Sequence, residues 1–252
     1  MSSSVSASDS SGPDSSGNAR LTDLEPRLLS QRDDISRRLK TFEPAIPPSV
    51  KLIAVTKTFP AEIVRAAYHA GIRDFAENKV QEALSKQAAL SDLTDVTWHF
   101  IGHVQSNKSR KVVEHFDWIH SVDSLKLANR IDRQATELGK RPKCCLQVKL
   151  AADPSKDGFE LEDMMAALPA LDQLEQIDIS GLMVIPPNGL LPHQTQAIFE
   201  RASALLRSLH SEPFTNLSFQ SLSMGMSGDF EAAIAAGSTM VRIGSGLFGA
   251  RV

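Results

Sequence analysis

The chain has 252 residues, 42% of them apolar, and a formal net charge of −3 from 27 Lys and Arg against 30 Asp and Glu. That is ample for one sizeable core, and mixed-sign charge without a basic excess argues against a dedicated nucleic-acid surface. No apolar run approaches the roughly 18 residues a bilayer span needs, so neither nucleic acid nor membrane is an expected partner.

The first nineteen residues hold nine serines and two aspartates, with no Lys or Arg. They lack the parts of a secretory signal and the Arg-rich amphipathicity of a mitochondrial presequence. They are also too poor in apolar residues to fold. Residues 1–20 are therefore expected to form a disordered Ser-rich tail, and residues 21–252 a single folded domain. Cys144 and Cys145 are adjacent, and on a strand they would point to opposite faces, so no bridge joins them. The absence of a disulfide framework points to a reducing compartment. The expectation is a cytoplasmic monomer, with a mitochondrial pool left open.

From Leu21 the pattern is helical: Leu21, Leu24, Leu28, Ile35 and Leu39 form one apolar stripe on about five turns. Pro44 to Pro48 ends it. Short apolar runs then alternate with amphipathic stretches. Strands are predicted over Leu52–Val55, Arg73–Ala76, Thr97–Ile101, Trp118–His120, Cys144–Leu150, Ile179–Ile185, Leu217–Leu222 and Met240–Ile243. Helices are predicted over Pro60–Ala70, Val80–Leu90, Lys108–His115, Ser124–Leu138, Leu161–Leu168, His193–Leu209 and Asp229–Ala236. Lys108, Arg110 and Lys111 read as a solvated helix face. Gly71, Gly139 and Gly237 stand where helices stop. This alternation predicts an α/β fold, a (β/α)8 TIM barrel preceded by an N-terminal helix. An open doubly wound sheet uses the same local pattern and remains the alternative.

In a barrel the reactive groups gather where strands end, because those loops open on one face. The ends read Lys57, then Glu77 and Asn78, His103, Ser121, Lys149, Met183, Ser223 and Ser227, and last Arg242, Gly244 and Ser245. Lys57 follows Leu52-Ile53-Ala54-Val55 and so starts at a buried edge. Desolvation would favour its free amine, the form that attacks an aldehyde, although a solvated surface charge is the ordinary fate of a lysine. The segment Ser223-Met224-Gly225-Met226-Ser227-Gly228-Asp229 precedes a helix, and Ser227 could cap it or bond a phosphate oxygen. Gly244-Ser245-Gly246 allows close backbone approach. The two loops reinforce each other, since phosphate sites after strands seven and eight are common in this fold.

Arg242 would lie inside the mouth if Val241 and Ile243 face the helices. There it could sit beside a ring nitrogen, or instead pair with a strand-end carboxylate such as Glu77. His99 and His103 flank a strand segment with no obvious third ligand, so no metal is expected. His103 is read as pocket lining and His99 as a satisfied partner in the wall. An amine, a phosphate cradle and a cation together suit pyridoxal phosphate.

At these residues the chain resembles the pyridoxal phosphate homeostasis protein family and, more distantly, the N-terminal barrel of alanine racemases. The resemblance rests on Ala54-Val55-Thr56-Lys57-Thr58, Phe75-Ala76-Glu77-Asn78, Trp98-His99-Phe100-Ile101-Gly102 with Gln105 and Asn107-Lys108, and Gly181-Leu182-Met183. It continues through Leu222-Ser223-Met224-Gly225-Met226-Ser227, Glu231-Ala232-Ala233-Ile234 and Arg242-Ile243-Gly244. It implies that Lys57 holds pyridoxal 5'-phosphate as an internal aldimine and that the phosphate lies against Ser227, Gly244 and Ser245. It sets Arg242 near the pyridine nitrogen and Asn78 in the pocket wall. Ser223 and Met226 complete the candidate set. Two departures stand out: Ala76 where the family usually has glycine, and Lys79 where it usually has tyrosine.

The resemblance implies a cofactor-binding protein of vitamin B6 homeostasis, not an enzyme, with pyridoxal-phosphate-dependent apo-enzymes as prospective partners. An amino-acid racemase is the alternative. A two-base racemase needs a second proton donor opposite the lysine, which in alanine racemases is a tyrosine from a C-terminal β domain. Tyr68 is the single tyrosine and is expected on the helix after strand one, and the chain ends at Val252, soon after the last strand. The non-enzyme reading is preferred.

Overall fold

In the computed structural model, which describes residues 16–153 and 157–249, parallel strands close into a ring. In chain order they are β1 (Lys51–Val55), β2 (Asp74–Glu77), β3 (Thr97–Phe100), β4 (Trp118–Val122), β5 (Lys143–Lys149), β6 (Phe159–Glu160), β7 (Asp178–Met183), β8 (Leu217–Met226) and β9 (Met240–Ile243). Pairing of β1 with β9 and of β4 with β5 leaves the eight long strands without a free edge. The short β6 pairs with β5 outside the ring. Closure settles the architecture in favour of the barrel over the open sheet.

The helices are α1 (Ser16–Phe42), α2 (Ala61–His69), α3 (Val80–Ala89), α4 (Ser109–His115), α5 (Leu125–Leu138), α6 (Leu161–Leu171), α7 (Pro192–His210), α8 (Phe230–Ala235) and α9 (Ser245–Phe248). The expected tail falls, over residues 1–15, outside the described residues, as do the side chains of Leu21 and Leu24. Helix α1 starts at Ser16 rather than Leu21. Its apolar stripe packs Ile35, Leu39 and Phe42 into one core with Val64, Ala67 and Leu247. Ser124 caps α5 by accepting the Leu127 N–H, and Gly139 ends that helix at φ 61°, the left-handed conformation that glycine enters freely.

Strand alternation divides the core in two. Outward residues such as Phe100, Ile119, Leu146, Ile179 and Leu222 pack under the helices. Inward residues Ile53, Val55, Ala76, Trp118, Cys145, Met183 and Met240 fill the barrel. Each large apolar side chain so buried contributes roughly 1.5–3 kcal/mol. Both cysteines are free and buried, and burial pushes the Cys145 thiol up to about 12.

One strand boundary differs from expectation in a way that bears on the site. Strand β8 runs on to Met226, so Ser223 lies within the strand and not after it. Its register slips between Ser223 and Met226, and Gly225 takes φ 94° there. A run of Ser, Met and Gly carries no strand periodicity, which is why it reads as loop. Elements as short as β6 and α9 carry no periodicity either.

Candidate functional site

Ile53 and Val55 point into the barrel, and continuing that alternation carries Lys57 to the inner rim. Its backbone is clamped from outside. Thr56 donates its N–H to the Ala76 carbonyl at 3.0 Å and its hydroxyl to Glu77 Oε1 at 2.6 Å. Lys86, from α3, donates to the Thr56 carbonyl at 2.8 Å and to Glu77 and Glu82 at 2.7 Å each. Thr58 stands at φ 71° and gives its N–H to Glu82. The turn that presents Lys57 is thus built on a buried ion cluster, with Lys57 itself half-buried.

Arg242 is inside the barrel, 3% exposed, while Val241 and Ile243 face the helices. It donates to Ser223 Oγ at 2.6 Å and to the Val184 carbonyl at 3.2 Å. The alternative pairing with Glu77 is corrected: Glu77 faces α3 through the wall, and no carboxylate makes a salt bridge with Arg242 among the described residues. Burial pulls the guanidinium down to about 10, which leaves it charged at neutral pH. Ser223 is fully buried, and its contacts run to Arg242 and to His120 Nδ1 at 2.8 Å.

Ser227 ties the last two loops together. Its hydroxyl oxygen accepts the N–H of Gly244 at 3.3 Å and of Gly246 at 3.2 Å. It does not cap α8; that position belongs to Asp229, whose carboxylate accepts the Met226 N–H at 2.6 Å. Gly246 has no room for a side chain, because a Cβ would stand 2.4 Å from the Phe42 ring. Met226 is partly exposed beside this junction, opposite Arg242 in the β8–β9 register, and Ser245 opens α9.

Asn78 and His103 line a cavity of about 470 Å³ at the neighbouring rim, with Gly102 and Lys108. His103 Nδ1 lies 3.3 Å from both Asp123 Oδ2 and Asp157 Oδ2. These two carboxylates, which no sequence spacing brings beside it, make His103 part of a polar cluster as well as pocket lining. His99 is buried in the wall between Asp74 and His120. Of the other strand ends, Ser121 donates to the Gly102 carbonyl, Lys149 pairs with Glu160, and Met183 fills the interior. Ala76 also fills the interior, and Lys79 is exposed ahead of α3.

Sequence reasoning missed Lys86 and His120. Lys86 shares the buried face of α3 with Val80 and Ala83, and a lysine on such a stripe signals a buried acid. His120 alternates with Trp118 along β4, a parity that sends it inward.

Residues 31–252 match the alanine racemase N-terminal domain family. The Pyridoxal phosphate homeostasis protein of Synechocystis sp. is 51% identical over 207 residues, spanning 82% of this chain and 94% of that protein. PipY of Synechococcus elongatus, solved with PLP bound, superposes with a TM-score of 0.82 at 53% identity, over 85% of this chain and all 100% of its own. Alanine racemase of Clostridium difficile superposes at 0.67 with 17% identity, over 86% of this chain and 60% of that one, a likeness of fold alone. The chain belongs to the pyridoxal phosphate homeostasis protein family, whose barrel is that of the alanine racemase N-terminal domain.

Proposed function

We propose that this chain binds pyridoxal 5'-phosphate at the barrel mouth, with Lys57 as its covalent anchor, and keeps it in reserve without turning over a substrate. The observation that carries the reading is a register. Strands β1 and β9 are neighbours, with Ile53 beside Arg242 and Ala54 beside Ile243. The turn that carries Lys57, the inward guanidinium and the Gly244–Gly246 loop that binds Ser227 therefore share one sector of the rim. PipY, solved with PLP bound, and relatives named for pyridoxal phosphate homeostasis support it.

The donor set fits such a group. When bound, it supplies an aldehyde, a phosphate monoester and an electron-withdrawing pyridine ring. Lys57 would hold the group through its amine, whose free form is the one that reacts with an aldehyde. Ser227, Gly244 and Ser245 would hold the phosphate, which would take over the N–H that Gly244 gives to Ser227 Oγ. Asn78 and Met226 would flank the ring. Arg242, being charged, would disfavour protonation of the ring nitrogen where it meets the group; Ser223 holds the guanidinium from behind. An unprotonated ring is a weak electron sink, which suits storage better than carbanion chemistry.

The racemase reading needs a second proton donor opposite the lysine. Tyr68, the single tyrosine, donates its hydroxyl to Asp95 at 2.5 Å and stacks under Arg73 at 3.8 Å. Both partners lie where strands begin, at the end of the barrel away from Lys57. The natural recipients of stored cofactor are apo-enzymes that need it. We further propose a monomer of the cytoplasm, whose reducing medium suits two free buried thiols. No described helix is long and apolar enough to cross a membrane.

The test is the absorbance of the purified chain incubated with the cofactor. A yellow band abolished by hydroxylamine, and missing in Lys57→Ala, is the expected result; a colourless wild-type protein overturns the reading. Sustained α-proton exchange of amino acids in heavy water, dependent on Lys57, would overturn the storage role. Timed transfer from loaded protein to an apo-enzyme tests the hand-over.

A further inference from the structure

A buried guanidinium without a touching carboxylate is costly, and the interior shows where its compensation lies. Beneath Arg242 a file of polar side chains crosses the barrel through its apolar filling. Ser223 Oγ is 2.8 Å from His120 Nδ1, His120 Nε2 is 2.9 Å from His99 Nδ1, and His99 Nε2 is 2.9 Å from Asp74 Oδ1. Lys51 Nζ closes the far end on the same Asp74 oxygen at 2.7 Å. His99, His120 and Ser223 are fully buried.

Chemistry assigns every proton in the file. Burial works against ionisation of the Asp74 carboxyl, yet hydrogen bonds from His99 and Lys51 hold it below its ordinary value. As a carboxylate it only accepts, so His99 carries its proton on Nε2. Burial holds His99 below the usual imidazole range and His120 well below it, so both rings are neutral near pH 7. Neutral His99 must then accept at Nδ1 from His120 Nε2–H. Neutral His120 must accept at Nδ1 from the Ser223 hydroxyl, whose oxygen accepts from Arg242. All four bonds point the same way, from cation to anion.

We infer that Asp74 is the counter-ion of Arg242, acting across the barrel through His99, His120 and Ser223, and that these four are positioning residues which set the orientation and effective charge of the guanidinium at the mouth. Aligned hydrogen bonds in a low-dielectric interior polarise one another and carry part of the anion's field to the other end. The charged and titratable groups that face the file are Lys51 from β1, Asp117 ahead of β4, Cys145 from β5 and Asp229 ahead of α8. Lys51 also lines a groove of about 650 Å³ at the face where strands begin, so the file joins the two ends of the barrel.

The link to the cofactor rests on the reading of Arg242 as the partner of its ring, so the test has two arms. In the cofactor-free full chain, nitrogen-15 spectra of the histidine rings should show His99 and His120 neutral at and above neutral pH, each protonated on Nε2. A charged ring, or a proton on His120 Nδ1, overturns the file regardless of any cofactor. In the loaded chain, the pH midpoint of the visible band is compared in Asp74→Asn and Lys51→Met. Asp74→Asn keeps an acceptor for His99 but removes the anion, leaving the mouth more positive and the protonated imine less stable. Its midpoint should fall by about half a pH unit, as expected for one charge acting through a partly screened interior. Lys51→Met bares the anion and should move the midpoint upward. A merely structural role predicts no such opposition, so equal-signed or absent shifts overturn the inference. If even the wild-type chain forms no band, the cofactor reading fails and the histidine spectra still decide the file.

Discussion

Lys86 Nζ lies 2.7 Å from Glu77 Oε1, with the two side chains 6% and 0% exposed, directly outside the backbone that carries Lys57. The pair is not a cheap source of stability, since desolvation offsets much of its attraction. Burial pushes the Glu77 carboxyl up, against the hydrogen bonds of Lys86 and Thr56, and Glu77 Oε2 finds no hydrogen-bond partner. Its evident service is geometric: it fixes the Thr56 carbonyl and, through Glu82, the left-handed Thr58. Lys86→Met should therefore cost about 3–5 kcal/mol in urea unfolding, because a buried carboxylate loses its cation. Adding Glu77→Gln should recover much of that stability without restoring wild-type cofactor affinity. Full recovery of both would show that the cluster does not organise the lysine turn.

Lys57→Ala should behave in the opposite way. The side chain is half-buried at the rim and outside both cores, so unfolding stability should stay within about 0.5 kcal/mol of wild type. The yellow band should vanish. Equilibrium dialysis should still detect the cofactor if Ser227, Gly244 and Ser245 supply most of the affinity. Loss of the fold in this variant would place Lys57 among the structural residues.

Stability should fall in mild acid. His99 and His120 have folded-state pKa values below the ordinary imidazole range, which for the unfolded chain is about 6.5. Below that pH the unfolded chain takes up protons that the folded barrel refuses, so stability is lost as pH drops. The slope approaches about 1.4 kcal/mol per pH unit for each histidine. Asp74, held low, adds a loss of the same sign further into acid, whereas Glu77, held high, opposes it. Urea midpoints measured between neutral pH and pH 5 or so should decline, and His120→Asn should flatten the decline. An unchanged slope in that variant would mean the ring is not buried neutral.

How much of this is legible in the sequence follows from which residues carry periodic signals. Leu52 to Val55 is an apolar run, Ile179 to Met183 and Met240 to Ile243 are apolar but for Ser180, Gly181 and Arg242, and strands appear at each. Closure of the ring is not legible, because pairing of β1 with β9 links segments at opposite ends of the chain. Arg242 can be turned inward by alternation alone, but its partner cannot be chosen that way. Glu77 is a plausible neighbour by strand-end position, yet parity sends it outward to Lys86 while Asp74 goes inward to His99. The habits of the fold bring Ser227 near Gly244. Its acceptance of two N–H groups depends on a β8 irregularity at Gly225 that no propensity marks.

That irregularity can be tested by adding one methyl group. Gly225 takes φ 94°, and a Cβ there would lie 2.6 Å from the Ala233 Cβ and 3.1 Å from the Phe230 Cα, neither of which can swing aside. Gly71 supplies the control, since it has a similar φ of 102° but open space, with nothing within 4 Å of where its Cβ would stand. Gly71→Ala should incur only the left-handed penalty, about 1 kcal/mol. Gly225→Ala adds overpacking and should lose about 2–4 kcal/mol. Because α8 must shift to relieve the clash, Ser227 should part from Gly244 and Gly246, and cofactor affinity measured by dialysis should fall with stability. Equal losses in the two alanine variants would show that β8 yields locally and that the phosphate loops do not depend on its packing.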